Sequence, residues 1–73
     1  MADTKVVSEV TGSVWKVLVA VGDSVEIDTP VILIESMKME IPVLAPDSGV
    51  VTEILVAVGD AVSEGQSVVT IKS

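Results

Sequence analysis

Leu18-Val19-Ala20-Val21-Gly22-Asp23 returns letter for letter as Leu55-Val56-Ala57-Val58-Gly59-Asp60, residue n matching residue n + 37. The match extends without a gap from residues 11–36 onto residues 48–73, and twelve of those twenty-six positions are identical. Agreement of that extent at one constant offset marks an internal duplication, which predicts a single domain over residues 1–73 built from two equivalent halves. Each half reads alike. A glycine opens it (Gly12, Gly49), an apolar strand follows (14–21, 51–58), and Gly-Asp breaks the strand. Gly22 and Gly59 can supply the positive φ of a tight turn, while Asp23 and Asp60 can bond their own backbone. A short strand around Val25 or Val62 comes next, then a turn (Asp28-Thr29-Pro30, Glu64-Gly65-Gln66) and a second apolar strand (31–34, 68–71).

Composition agrees with strands. Seventeen valines and six isoleucines make about a third of the 73 residues β-branched and apolar. Such side chains are stiff at the first torsion and pack well on a pleated surface. No window holds a 3.6-residue period over the length a helix needs. Short strands separated by Gly and Pro predict an all-β sandwich or small barrel, with two four-stranded sheets packed face to face and each half contributing equally. A chain this short buries only about 60% of the surface it exposes when unfolded, so its core is thin and must match the fold closely. Trp15 is the one aromatic residue. It reads as a packing or surface ring, with docking as the sharper alternative.

Other features exclude function classes. Without His or Cys the chain offers no histidine or thiolate metal site, no disulfide framework and no His- or Cys-based catalysis. A net charge of −7 would be repelled by nucleic acid and by anionic membranes. The apolar runs at 17–21 and 31–34 fall far short of the roughly 20 residues that a spanning helix requires. Met1-Ala2-Asp3-Thr4-Lys5 lacks the form of a secretory leader. The expectation is a cytoplasmic, non-catalytic monomer.

The seam between the halves carries the chemistry. Glu35-Ser36-Met37-Lys38-Met39-Glu40-Ile41-Pro42 joins a strand over 31–36 to one over 40–45, which predicts a hairpin with Met37-Lys38 at or beside its tip. Two-residue hairpin loops favour turns with positive φ, normally Asn-Gly or Asp-Gly. Met-Lys is a poor choice there, since a side chain in that region costs roughly 1–2 kcal/mol. A turn that ignores local propensity is a place where function has overridden it. A lysine at such a tip projects its amine from the body, where a second protein can enclose it. The amine is an ammonium at neutral pH, so any enzyme acylating it must remove the proton. Lys38 is then an acceptor and not a catalyst. Alone, Lys38 would be a solvated turn residue and Met37 and Met39 ordinary gap-fillers. Their place at the midpoint of a duplicated β domain changes that reading.

The segment resembles the biotinylation motif of the biotin/lipoyl attachment family, whose centre is Met-Lys-Met. The duplicated strands and both Val-Gly-Asp turns extend the resemblance over nearly the whole chain. It implies a flattened β-barrel or sandwich of two four-stranded sheets with pseudo-two-fold symmetry, and it implies that a biotin protein ligase forms biotinyl-adenylate and joins biotin to Lys38. It also implies that the biotin then carries carboxyl groups from a biotin carboxylase to a carboxyltransferase. Glu35, Ser36, Met37, Met39 and Glu40 would be the residues the ligase reads. Ser36 stands where the motif usually has Ala. The thumb loop of many acetyl-CoA carboxylase carriers has no room in the gapless repeat, and a Pro- and Ala-rich tether is missing. These departures favour a small independent carrier, or one excised from a larger acyl-CoA or pyruvate carboxylase. Two alternatives stand beside this one. A lipoyl carrier would usually show Asp-Lys-Ala at the tip, and an unmodified barrel-type adaptor would lack the Met-Lys-Met seam.

Overall fold

In the computed structural model, which describes residues 3–73, every regular element is a β-strand. Of the segment read as lacking a leader, Met1 and Ala2 lie outside the described residues. The strands are β1 (Asp3–Val7), β2 (Gly12–Val17), β3 (Ser24–Val25), β4 (Pro30–Ser36), β5 (Met39–Leu44), β6 (Gly49–Ile54), β7 (Ala61–Val62) and β8 (Ser67–Lys72). They form two four-stranded antiparallel sheets, ordered β1-β8-β6-β3 and β5-β4-β2-β7. Adding 37 to a residue number carries β1, β2, β3 and β4 onto β5, β6, β7 and β8, and so carries one sheet order onto the other. Each sheet therefore takes two strands from each half, and neither half completes a four-stranded sheet by itself.

The repeat reaches further than sequence identity showed. Asp3–Val7 corresponds to residues 40–44, yet Val6 and Val43 are the only identical pair there, so β1 had no signal of its own. Those two valines are buried, which is what the duplication preserved. The first apolar strand of each half is shorter than its composition suggested, ending at Val17 or Ile54 instead of Val21 or Val58. The aspartates cause this. The Ala20 N–H donates to Asp23 Oδ2 and the Ala57 N–H to Asp60 Oδ2, each at 2.9 Å. The Asp23 and Asp60 N–H groups donate back to the Ala20 and Ala57 carbonyls. The local bonds turn the chain before the apolar run is finished and leave Val21 and Val58 exposed.

Beyond that turn the Gly22 N–H donates to the Val51 carbonyl at 2.7 Å, and the Gly59 N–H to the Val14 carbonyl at 2.8 Å. Each half thus caps a strand of the other. Gly22 and Gly59 have φ of 98° and 94° with open space where a Cβ would stand, so a side chain there meets backbone strain and no clash. Gly22→Ala and Gly59→Ala should each lower stability by about 1–2 kcal/mol in chemical denaturation. Unchanged midpoints would contradict the turn geometry.

The core is a single aliphatic cluster between the sheets, including Val6, Val14, Val31, Ile32, Ile34, Val51, Val68, Val69 and Ile71. The buried Ser8 and Thr70 both find partners: Ser8 Oγ donates to the Val10 carbonyl at 2.6 Å, and Thr70 Oγ1 accepts from Lys5 Nζ at 3.2 Å. Among the described residues no buried side-chain polar atom lacks a hydrogen bond.

Candidate functional site

β4 and β5 pair in register from Ile32↔Val43 to Ser36↔Met39, leaving Met37 and Lys38 as a two-residue turn. Their φ values are 51° and 66°. Both central residues positive is the requirement of a primed turn, the form whose twist suits a two-residue hairpin. Among the described residues only one other non-glycine has positive φ, Asp28 at 69°. Aspartate is a residue that tolerates this region, whereas methionine and lysine do not favour it. The tip therefore adopts the geometry that Asn-Gly would take up with least strain, although neither Met37 nor Lys38 favours it.

Met37 is 92% exposed and Met39 63%, and Lys38 is exposed between them. The methionines do not join the core, in contrast to the gap-filling alternative. Replacing Met37 with Asn and Lys38 with Gly should stabilise the domain by about 1–2 kcal/mol and remove the amine. Thermal melting of that double variant checks it, and a lower midpoint would contradict the strain assigned to the tip.

Two features brace the hairpin. Ser36 Oγ donates to the Thr11 carbonyl at 2.9 Å, tying the end of β4 to the loop before β2. An Ala at this position, as in the commoner motif, would lack that bond. Since the bond is exposed, Ser36→Ala should cost no more than about 1 kcal/mol in denaturant titration. The second brace is Gly12, where an added Cβ would collide with the Glu35 carbonyl oxygen and lie 2.8 Å from Ile34 Cγ2. Sequence reading marked Gly12 as the opening of a strand and assigned it no role at the site. Only the sheet pairing of β2 with β4 reveals that its missing side chain lets the hairpin lie flat. Glu35 and Glu40 face each other as cross-strand partners just below the tip. Asp23 and Asp60, by contrast, serve their own turns and lie on other connections.

The arrangement presents one primary amine on a projecting turn, without an enclosing pocket. A cavity of about 170 Å³ lies along β5, lined by Val7, Glu9, Val10, Ile41, Pro42, Val43 and Leu44, and Lys38 is not part of its wall. Among the described residues no three acidic side chains gather as a metal site. Such a tip suits transfer of a group onto the amine by a second protein, and suits carriage of that group afterwards.

Residues 4–71 match the family described as Biotin-requiring enzyme, the biotin/lipoyl attachment family. The chain belongs to that family. Within it, a segment of 37 residues is 49% identical to a biotin/lipoyl attachment protein of Bacillus subtilis and spans 51% of both chains. A 38-residue segment is 53% identical to the biotinylated protein TB7.3 of Mycobacterium tuberculosis, covering 52% of this chain and 54% of that one. The matched segment thus spans about half the length of these curated relatives. The fold superposes on part of the urea carboxylase of Kluyveromyces lactis with a TM-score of 0.93 and 44% identity, covering 99% of this chain and 6% of that enzyme. It also superposes on the lipoyl domain of the 2-oxoglutarate dehydrogenase complex of Azotobacter vinelandii, with a TM-score of 0.70 and 30% identity over 86% of this chain and 80% of that domain. The family thus includes proteins described by either group.

Proposed function

We propose that this chain is a biotin carboxyl carrier and that Lys38 is its biotin attachment point. The observation that carries the proposal is the exposed Met37-Lys38-Met39 tip, held in a strained primed turn that a purely structural hairpin would fill with Asn-Gly. A biotin protein ligase would enclose the tip, remove the ammonium proton, and allow Nζ to attack the carbonyl of biotinyl-adenylate, with AMP leaving and an amide forming. Once bound, biotin supplies a nitrogen that accepts and releases a carboxyl group. The protein contributes rigidity and reach. The sandwich is a handle that delivers the Lys38 arm first to a biotin carboxylase and then to a carboxyltransferase, and the tethering raises the effective concentration of the carried group at each. Catalysis belongs to those partners, and a cytoplasmic setting accords with the absence of cysteine.

The likeness to a urea carboxylase at 44% identity supports biotin over the alternative. So does the printed description of the mycobacterial relative as biotinylated. A lipoyl carrier is the second reading, favoured by the superposition on a lipoyl domain. Supplying biotin with its ligase, and separately lipoate with its ligase, distinguishes them by the intact mass of the product. A single biotin adduct supports the proposal, and a lipoyl adduct would replace it.

A further inference from the structure

The chain has no cysteine, so all its sulfur lies in three methionines, and two of them flank Lys38. Met37 is 92% exposed, well beyond Val58 at 66%, the next most exposed large apolar side chain among the described residues. Neither Met37 nor Met39 belongs to the core, whose buried members are valine, isoleucine and alanine. A buried thioether that gains an oxygen becomes polar where no room or partner exists, and the core suffers. These two side chains face water, so the fold loses no packing when they change. The hairpin β4–β5 carries only two side-chain donors, Ser36 and Lys38. Ser36 Oγ commits its one proton to the Thr11 carbonyl at 2.9 Å. The ionised carboxylates of Glu35 and Glu40, paired across the strands below the tip, only accept. Lys38 makes no hydrogen bond or ion pair with any described residue.

We propose that Met37 and Met39 form a reversible oxidation site: peroxide converts them to sulfoxides, which block acylation of Lys38 until a methionine sulfoxide reductase restores them. The inference rests on the reading of Lys38 as the biotin acceptor. In the forward step the thioether sulfur attacks one peroxide oxygen, the O–O bond breaks, and proton transfer leaves a sulfoxide and water. Sulfur is oxidised by two electrons and the peroxide is reduced. In the reverse step the sulfoxide oxygen leaves as water while two thiols of the reductase system become a disulfide. At the tip the new oxygen acts in two ways. An enzyme that encloses Lys38 also covers its two exposed neighbours, and a sulfoxide oxygen covered without a donor keeps its desolvation penalty. While uncovered, that oxygen accepts from the Lys38 ammonium, holding the proton that the ligase must remove. The same exposure lets a reductase enclose Met37 without unfolding the domain.

The test treats the unmodified chain with hydrogen peroxide, removes the oxidant, and then supplies a purified biotin protein ligase, ATP and biotin. Intact mass and peptide mapping should place one oxygen on each of Met37 and Met39, with the melting temperature within a degree or two of the untreated chain. The initial rate of biotinylation should fall about tenfold or more, since a single buried polar group left unpaired is worth a factor of that size. Incubation with methionine sulfoxide reductases for both sulfoxide epimers and a thiol reductant should return the mass and the rate together. Met37→Leu/Met39→Leu keeps apolar bulk without sulfur, and its rate before peroxide should equal its rate afterwards. An oxidised wild-type chain labelled at the untreated rate would overturn the site while leaving Lys38 as the acceptor. So would a rate that stays low after the mass has returned, or an equal loss in the leucine variant. A melting temperature lowered by many degrees would place the damage in the fold and overturn it as well. An untreated wild-type chain that takes no biotin would overturn both the site and the acceptor.

Discussion

Lys38→Arg should take up no biotin while keeping the wild-type melting temperature. Arginine retains the positive charge and the same positive-φ strain, so the turn and the fold are unchanged. Its guanidinium is not deprotonated in a protein and offers no amine nucleophile. The chain's other lysines, Lys5, Lys16 and Lys72, give the experiment its internal contrast. Lys5 donates to Thr70, Lys16 lies over the Trp15 ring, and Lys72 pairs across strands with Asp3 and Val50, so none occupies a projecting turn. Intact mass after exposure to ligase, biotin and ATP should show one adduct on the wild-type chain and none on Lys38→Arg. An adduct on the variant would move the attachment point elsewhere.

Gly12→Ala should produce the largest loss of stability among single substitutions at the site. Its Cβ would strike the Glu35 carbonyl oxygen and crowd Ile34, and the first of these is backbone that cannot rotate away. Relief requires β2 and β4 to separate where Gly12 and Ser13 also hold β7. Overpacking of that kind costs about 1–3 kcal/mol. In a domain of this size about 2 kcal/mol lowers the melting temperature by roughly 8–16 °C. The displacement falls on the strand that leads into Met37 and Lys38, so biotinylation should slow as well. A melting temperature within a degree or two of wild type would show that the sheet gives way freely, and that Gly12 does not brace the hairpin.

Much of this architecture was written in the repeat. Leu18–Asp23 and its copy fixed the offset and with it two equivalent halves, while the interleaving of those halves in each sheet emerged only from the strand pairing. Where residues diverged the reading faltered. β1 matches β5 in a single identical position, Val6 with Val43, so the eighth strand became visible only through pairing with β8. The apolar run through Val21 looked like strand because composition does not register that Asp23 turns back to cap Ala20. At the site, the unsuitability of Met-Lys for a hairpin tip was legible, and the φ values of 51° and 66° confirm that the chain adopts the turn regardless. The part played by Gly12 was not legible, because it depends on which backbone lies across the sheet and no local pattern encodes that.

The most direct test of the central claim is the intact mass of the unmodified chain after separate incubation with biotin and a biotin protein ligase, and with lipoate and a lipoate ligase, each with ATP. The account predicts one biotin adduct, mapped to the peptide containing Lys38, and no lipoyl adduct. A lipoyl adduct, or an unchanged mass with a biotin ligase proven active on another carrier, would contradict it.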